Sequence, residues 1–117
     1  MQSKFSNYRL PINDVLNRIR QLIEVASIDP NINVEIVDRQ NDEKYSLNPS
    51  VTLKISNSKL NGEVSAWAVG AVDVHGFDVE NLDFLFDYHV EIVAPGDIDE
   101  HVLKVLNLFK PKTIGTN

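Results

Sequence analysis

The sequence predicts an α+β two-layer sandwich: an antiparallel sheet of three or four strands with two helices on one face, in the order αβββ(α)βα. Three observations predict it. Two segments, one near each end, carry apolar residues at helical spacing. The segments between them alternate apolar and polar residues with period two. Turn signals such as Asn61-Gly62 and His75-Gly76 separate those alternating runs. No internal repeat or linker interrupts the chain, so one domain is expected over residues 1–117, with 1–10 a lead-in and 111–117 a loose tail.

Residues 11–27 form the first predicted helix. Ile12, Val15, Leu16, Ile19, Leu22, Ile23 and Ala26 make one apolar stripe. Pro11 suits the first helical position, where its missing N–H costs nothing. Asp29-Pro30 stops the helix, because the residue before proline avoids the α region. Residues 33–39 follow as a strand, with Val34 and Ile36 on one face and Glu35 and Val37 on the other. Residues 40–49 are a polar connection. Residues 51–56 alternate cleanly, Val51, Leu53 and Ile55 inward and Thr52, Lys54 and Ser56 outward, the pattern of a half-buried antiparallel strand.

Residues 57–62 read as a turn, with Asn61-Gly62 supplying positive φ. Residues 63–74 then read as one long strand. Its even positions, from Val64 through Ala66, Ala68, Gly70 and Val72 to Val74, are small and apolar and suit close packing of a helix. A helix competes for this Ala-rich stretch, but Gly70 and the valines favour strand. His75-Gly76 is the next predicted turn. Residues 78–83 form a short helical turn anchored by Val79 and Leu82, and residues 84–93 form the last strand. Phe84, Phe86, Tyr88, Val90 and Ile92 share one face of it. The second helix, 98–109, buries Ile98, Val102, Val105, Leu106 and Phe109, with Asp97 as N-cap and Glu100 as capping-box partner. Lys110-Pro111 ends it. Phe5, Tyr8 and Leu10 are expected to dock the lead-in onto the body. The open sheet face is then expected to carry Glu35, Thr52, Lys54, Ser56, Ser65, Trp67, Asp73, Asp87, His89 and Glu91.

The charge distribution is uneven. The chain holds 11 Lys+Arg against 17 Asp+Glu, for a net charge of -6. Residues 60–103 hold ten carboxylates and all three histidines, and neither Lys nor Arg. Such a block repels nucleic-acid phosphate and anionic lipid, and attracts cations. Acidity also serves solubility alone, which is the competing reading. There is no Cys, which excludes disulfides, Cys-based zinc sites and Cys nucleophiles. No apolar run is long enough for a membrane helix, and the first residues lack the apolar core of a signal peptide, so a cytoplasmic location is expected.

Few residues point to chemistry. Asp87, His89 and Glu91 share one strand face, and with His75 or Asp73 they form the best candidate metal set. The motif spacings of metal sites are absent, and a solvated strand face is the better explanation of the row, so no metal ligand is assigned. A hydrolase based on His89 lacks a Gly-x-Ser-x-Gly elbow, a phosphate loop and a Cys, so no catalytic residue and no cofactor is assigned. Trp67 on the open face reads as an interface anchor, or as a ring packed under the 40–49 connection or the lead-in.

Together these features predict a binding protein, not an enzyme. The expected partner is a basic protein, such as a nuclease toxin domain that a bacterial immunity or antitoxin-type inhibitor would neutralise. The expected contact residues are Trp67, Asp73, Asp78, Glu80, Asp83, Asp87, His89 and Glu91. No direct contact with nucleic acid or membrane is expected, and a homo-oligomer is compatible with the sequence. The alternative is a small-molecule or metal-binding regulatory domain.

Overall fold

The computed structural model describes residues 10–26, 28–40 and 48–110. Helix α1 spans Ile12–Val25 and buries Ile12, Val15, Leu16 and Ile19. The Pro11 carbonyl accepts hydrogen bonds from the N–H groups of Asp14 and Val15, at 3.0 and 3.2 Å. Leu10 is buried, and its N–H donates to the Ala68 carbonyl at 2.9 Å, so this residue of the lead-in is docked. Phe5 and Tyr8 lie outside the described residues.

Five strands follow: β1 (Asn33–Asp38), β2 (Ser50–Ser56), β3 (Leu60–Trp67), β4 (Ala71–Asp78) and β5 (Asp83–Glu91). They form one antiparallel sheet in chain order, β1-β2-β3-β4-β5. The expectation of three or four strands is therefore corrected to five. The extra strand comes from the segment read as one long strand over 63–74. The chain reverses at Ala68, Val69 and Gly70, where Gly70 adopts φ 102 and its N–H bonds the Trp67 carbonyl at 2.8 Å. Only a residue without a Cβ takes that conformation at no steric cost.

Two other glycines have a different role from the one expected. Asn61-Gly62 and His75-Gly76 are not turns; Gly62 lies inside β3 and Gly76 inside β4, directly opposite each other. A Cβ on Gly62 would lie 2.5 Å from Cγ1 of Val105 and 3.2 Å from Phe109. A Cβ on Gly76 would lie 2.7 Å from Leu108 and 2.8 Å from the Phe86 ring. These glycines let the last helix approach the sheet. The real turn between β2 and β3 is made by Asn57, whose side-chain oxygen accepts the N–H groups of Lys59 and Leu60, both at 2.8 Å.

Residues 78–83 are the β4–β5 hairpin, not an anchored helical turn. Asp78 stands directly opposite Asp83, and Leu82 is 77% exposed with φ 53. A branched residue in the left-handed region costs roughly 1–2 kcal/mol. Leu82→Gly is expected to raise stability by about 0.5–1 kcal/mol, because relief of that strain exceeds the added chain entropy. A urea midpoint that does not move upward would refute this.

The pairing of β4 with β5 contains a bulge. Phe77 pairs with Phe84 and the next residue, Gly76, pairs with Phe86, so Leu85 is left over. The bulge removes Phe84 from the inward row expected for it. Phe84 stacks edge-on against Phe77 and His75 on the open face, with ring centroids 5.0 and 5.9 Å apart.

A 3-10 turn over Pro95–Ile98 leads into helix α2, Asp99–Asn107. Asp97 is not the N-cap of α2. Its carboxylate accepts the Ala94 N–H at 3.2 Å and so caps the preceding 3-10 turn. Helices α1 and α2 pack side by side on one sheet face, α1 over β2 and β3 and α2 over β3 and β4. The core between the layers includes Ile19, Leu53, Ile55, Val64, Val72, Val74, Ile98, Val105 and Leu106, all essentially without solvent contact. Each such side chain contributes about 1.5–3 kcal/mol by burial. Arg18 clamps the two helices: its Nε donates to Oδ1 of Asp99 at 2.8 Å and its Nη2 to Oδ2 of the same carboxylate.

Candidate functional site

The uncovered face of the sheet is built in cross-strand rows. One row runs Glu35, Lys54, Glu63, His75, Asp87 from β1 to β5. The adjacent row runs Val37, Thr52, Ser65, Asp73, His89. A third, toward the β4–β5 turn, runs Asn33, Ser56, Asn61, Phe77, Phe84. Period-two alternation places these side chains opposite the core, so the open-face residues expected from the sequence do share one surface.

Within that surface the closest ionic cluster is Asp73, His89 and Glu91. His89 Nδ1 lies 2.7 Å from Oδ1 of Asp73, and Nε2 lies 3.0 Å from Oε2 of Glu91. The register makes Asp73 and His89 direct neighbours, and Glu91 follows two residues along the same strand. The hydrogen bond to Asp73, then that to Glu91, favours the imidazolium and raises the His89 pKa. Asp87 stands across from His75 in the next row, and no contact draws it into the cluster. Among the described residues no group of three or more His, Asp or Glu is arranged to hold a metal ion. Ser65 lies in the row of His89 with Asp73 between them. Its hydroxyl is 2.9 Å from Thr52 and 3.4 Å from Glu63, so serine and histidine do not meet as nucleophile and base.

A raised imidazole pKa has a definite sign for stability. The contribution is complete below the unfolded value, about 6.5, and is lost as pH rises through the higher folded value. His89→Gln is therefore expected to destabilise the protein at about pH 5.5 and to be nearly neutral at about pH 9. Urea unfolding of both proteins at each pH checks this, and an equal difference at both would show that the ion pairs contribute nothing.

The ten carboxylates of the acidic block do not form one face. Asp97, Asp99 and Glu100 belong to the helix layer, where Asp97 caps a turn and Asp99 pairs with Arg18. Glu63 sits beside Lys54 in mid-sheet. The other six, Asp73, Asp78, Glu80, Asp83, Asp87 and Glu91, all lie on the β4–β5 hairpin. Asp78 accepts the Asn81 backbone N–H at 3.1 Å and its side-chain amide at 2.8 Å, which lowers its pKa and keeps it ionised.

The eight expected contact residues therefore divide. Asp73, Asp87, His89 and Glu91 lie together on β4 and β5. Asp78, Glu80 and Asp83 extend them around the hairpin tip. Trp67 is half-buried at the far end of β3, opposite Ser50, and the structure does not bring it to the tip. Sequence reasoning missed the apolar partner of the acids. Phe84 is 51% exposed and Leu85 49%, and with Leu82 they make an apolar tip between the carboxylates. Only the bulge places Phe84 there, and no alternation pattern signals a bulge. A pocket of about 310 Å³ lies among Asn33, Glu35, Lys54, Ser56, Asn61, Glu63 and His75.

On the covered side, the Tyr88 hydroxyl lies 2.7 Å from Nδ1 of the buried His101. Burial, then the charge of Glu100, raises the Tyr88 pKa, so the phenol stays protonated and joins β5 to α2. No helix among the described residues is long and apolar enough to cross a membrane. No protein-family model matches the chain, and no curated protein matches it.

Proposed function

We propose that this chain is a small acidic binding protein that neutralises a basic toxin, a nuclease being the clearest case, as a bacterial immunity or antitoxin-type inhibitor does. The observation that carries the reading is the β4–β5 hairpin, which presents six carboxylates and no Lys or Arg around an exposed Phe84 and Leu85. A nuclease holds phosphate with a cationic cleft. A surface of fixed carboxylates competes for that cleft and steers the two proteins together, and the apolar tip supplies contact area once they meet. His89 moderates that charge through its hydrogen bonds with Asp73 and Glu91.

The test is capture of partners from native cells at two salt concentrations, read by mass spectrometry. The expected result is one basic protein near stoichiometry, weakened at high salt because the attraction is screened. Recovery of no basic protein at low salt would overturn the reading. The pocket lined by Lys54, Glu35, Glu63 and His75 favours a second reading, a small-molecule-binding regulatory domain. Under that reading Lys54→Ala abolishes ligand-induced thermal stabilisation and leaves partner capture unchanged.

A further inference from the structure

We infer that the outer edge of β5, along which no strand among the described residues pairs, accepts one added strand, an extended basic segment of the partner protein in which Lys or Arg alternate with apolar residues. The inference rests on the proposed capture of a basic protein, and it names how that protein is held. β5 is an edge strand of nine residues. The Ile92 N–H bonds the Gly70 carbonyl at 2.8 Å, and this sets the phase of the antiparallel ladder. Bonded pairs recur every second residue, so Val90 and Tyr88 turn their backbone groups toward β4. Asp87 and His89 consequently turn theirs outward, where an incoming strand would meet them.

The side chains on the two faces specify the alternation. On the open face, the residues of an added strand would lie beside Asp87, His89 and Glu91, where two carboxylates outnumber the one imidazole and favour cations. On the covered face they would lie beside Phe86 and Tyr88. Lys104 already sits over those rings, its Nζ 4.8 and 4.9 Å from their centroids. A second cation would be repelled at that place, and an apolar residue would extend the core. Exposed apolar groups also stand at both ends of the edge, with Phe84 and Leu85 at one and Val93, 66% exposed, at the other. A second copy of the chain is the poorer occupant, since it would set Asp87 and Glu91 against the same two carboxylates. Natural edges are commonly guarded by charge and by a bulge, and this edge has both, with neither Lys nor Arg on β5.

The probe is an acetylated and amidated peptide (Lys-Val)4, compared with the same peptide N-methylated at every Lys, the residues whose N–H groups would face Asp87 and His89 in an antiparallel addition. The full chain is observed by amide hydrogen exchange and by titration. The expected result is at least tenfold slower exchange of the Asp87 and His89 amides, with binding weakened at least tenfold by N-methylation. Equal binding of both peptides without amide protection would overturn strand addition, while leaving charge-based capture by the hairpin intact. Protection confined to β1, or no binding of either peptide, would also overturn it. So would sedimentation showing that the chain alone dimerises with these same amides protected.

Discussion

Gly62→Ala is expected to lower the unfolding free energy by about 1–3 kcal/mol, a sizeable share of the stability of a domain this small. The added Cβ would lie 2.5 Å from Cγ1 of Val105 and 3.1 Å from Ile55, both fully buried. Val105 is β-branched and held in the α2–sheet interface, so it cannot swing aside as a long flexible side chain would. Helix and sheet must separate slightly or β3 must deform. The variant Val105→Ala removes the obstructing methyl at its own cavity cost. The two substitutions together should therefore cost less than their sum. Urea unfolding of the four proteins measures this directly. A Gly62→Ala protein within about 0.5 kcal/mol of the parent would mean that the close approach is not required.

The second large effect concerns association. Asp87→Lys combined with Glu91→Lys is expected to slow capture of the basic partner on the order of 100-fold, since steering is lost and like charges meet at the interface. Both positions are exposed on an edge strand, so the fold should persist. Glu24→Lys with Glu100→Lys provides the comparison. It changes net charge equally, at exposed positions on the helices. If the two double variants associate equally slowly, overall charge matters and the hairpin has no special part.

Much of the architecture was legible in local pattern. The stripe from Ile12 to Ile23 and that from Ile98 to Phe109 specify two one-sided helices, and alternation over 51–56 specifies β2. The segment 63–74 is instructive because its faces were legible while its topology was not. The chain reverses around Val69, so Val64 pairs with Val74 and Ala66 with Val72. Even residues face even residues, and a hairpin and a single strand predict the same inward row. Periodicity alone cannot separate them; Gly70 was the remaining signal.

Glycine was also the source of the two misread turns. In a sequence, a glycine that permits positive φ and a glycine that admits a helix look alike. Only the position of Val105 and Leu108 above the sheet tells them apart. For the site, period two placed Asp73, Asp87, His89 and Glu91 on one face. The division of the ten carboxylates between hairpin and helix layer depends on where β5 ends and α2 begins to pack. The exposed Phe84 depends on the Leu85 bulge, which no local composition marks.

The chain-order pairing of the strands has a consequence for synthesis. Connections between β2 and β3, β3 and β4, and β4 and β5 are short, so each hairpin can close soon after its second strand leaves the ribosome. The helix layer is completed on a different schedule. Helix α1 is made before the sheet and α2 after it, and among the described elements α2 is the helix packed over β4 and much of β3. Until that helix has emerged, Val64, Val72 and Val74 line an incompletely covered apolar surface. A chain cut short before Asp99 therefore leaves the ribosome as a sticky, protease-sensitive sheet, not as a smaller working protein.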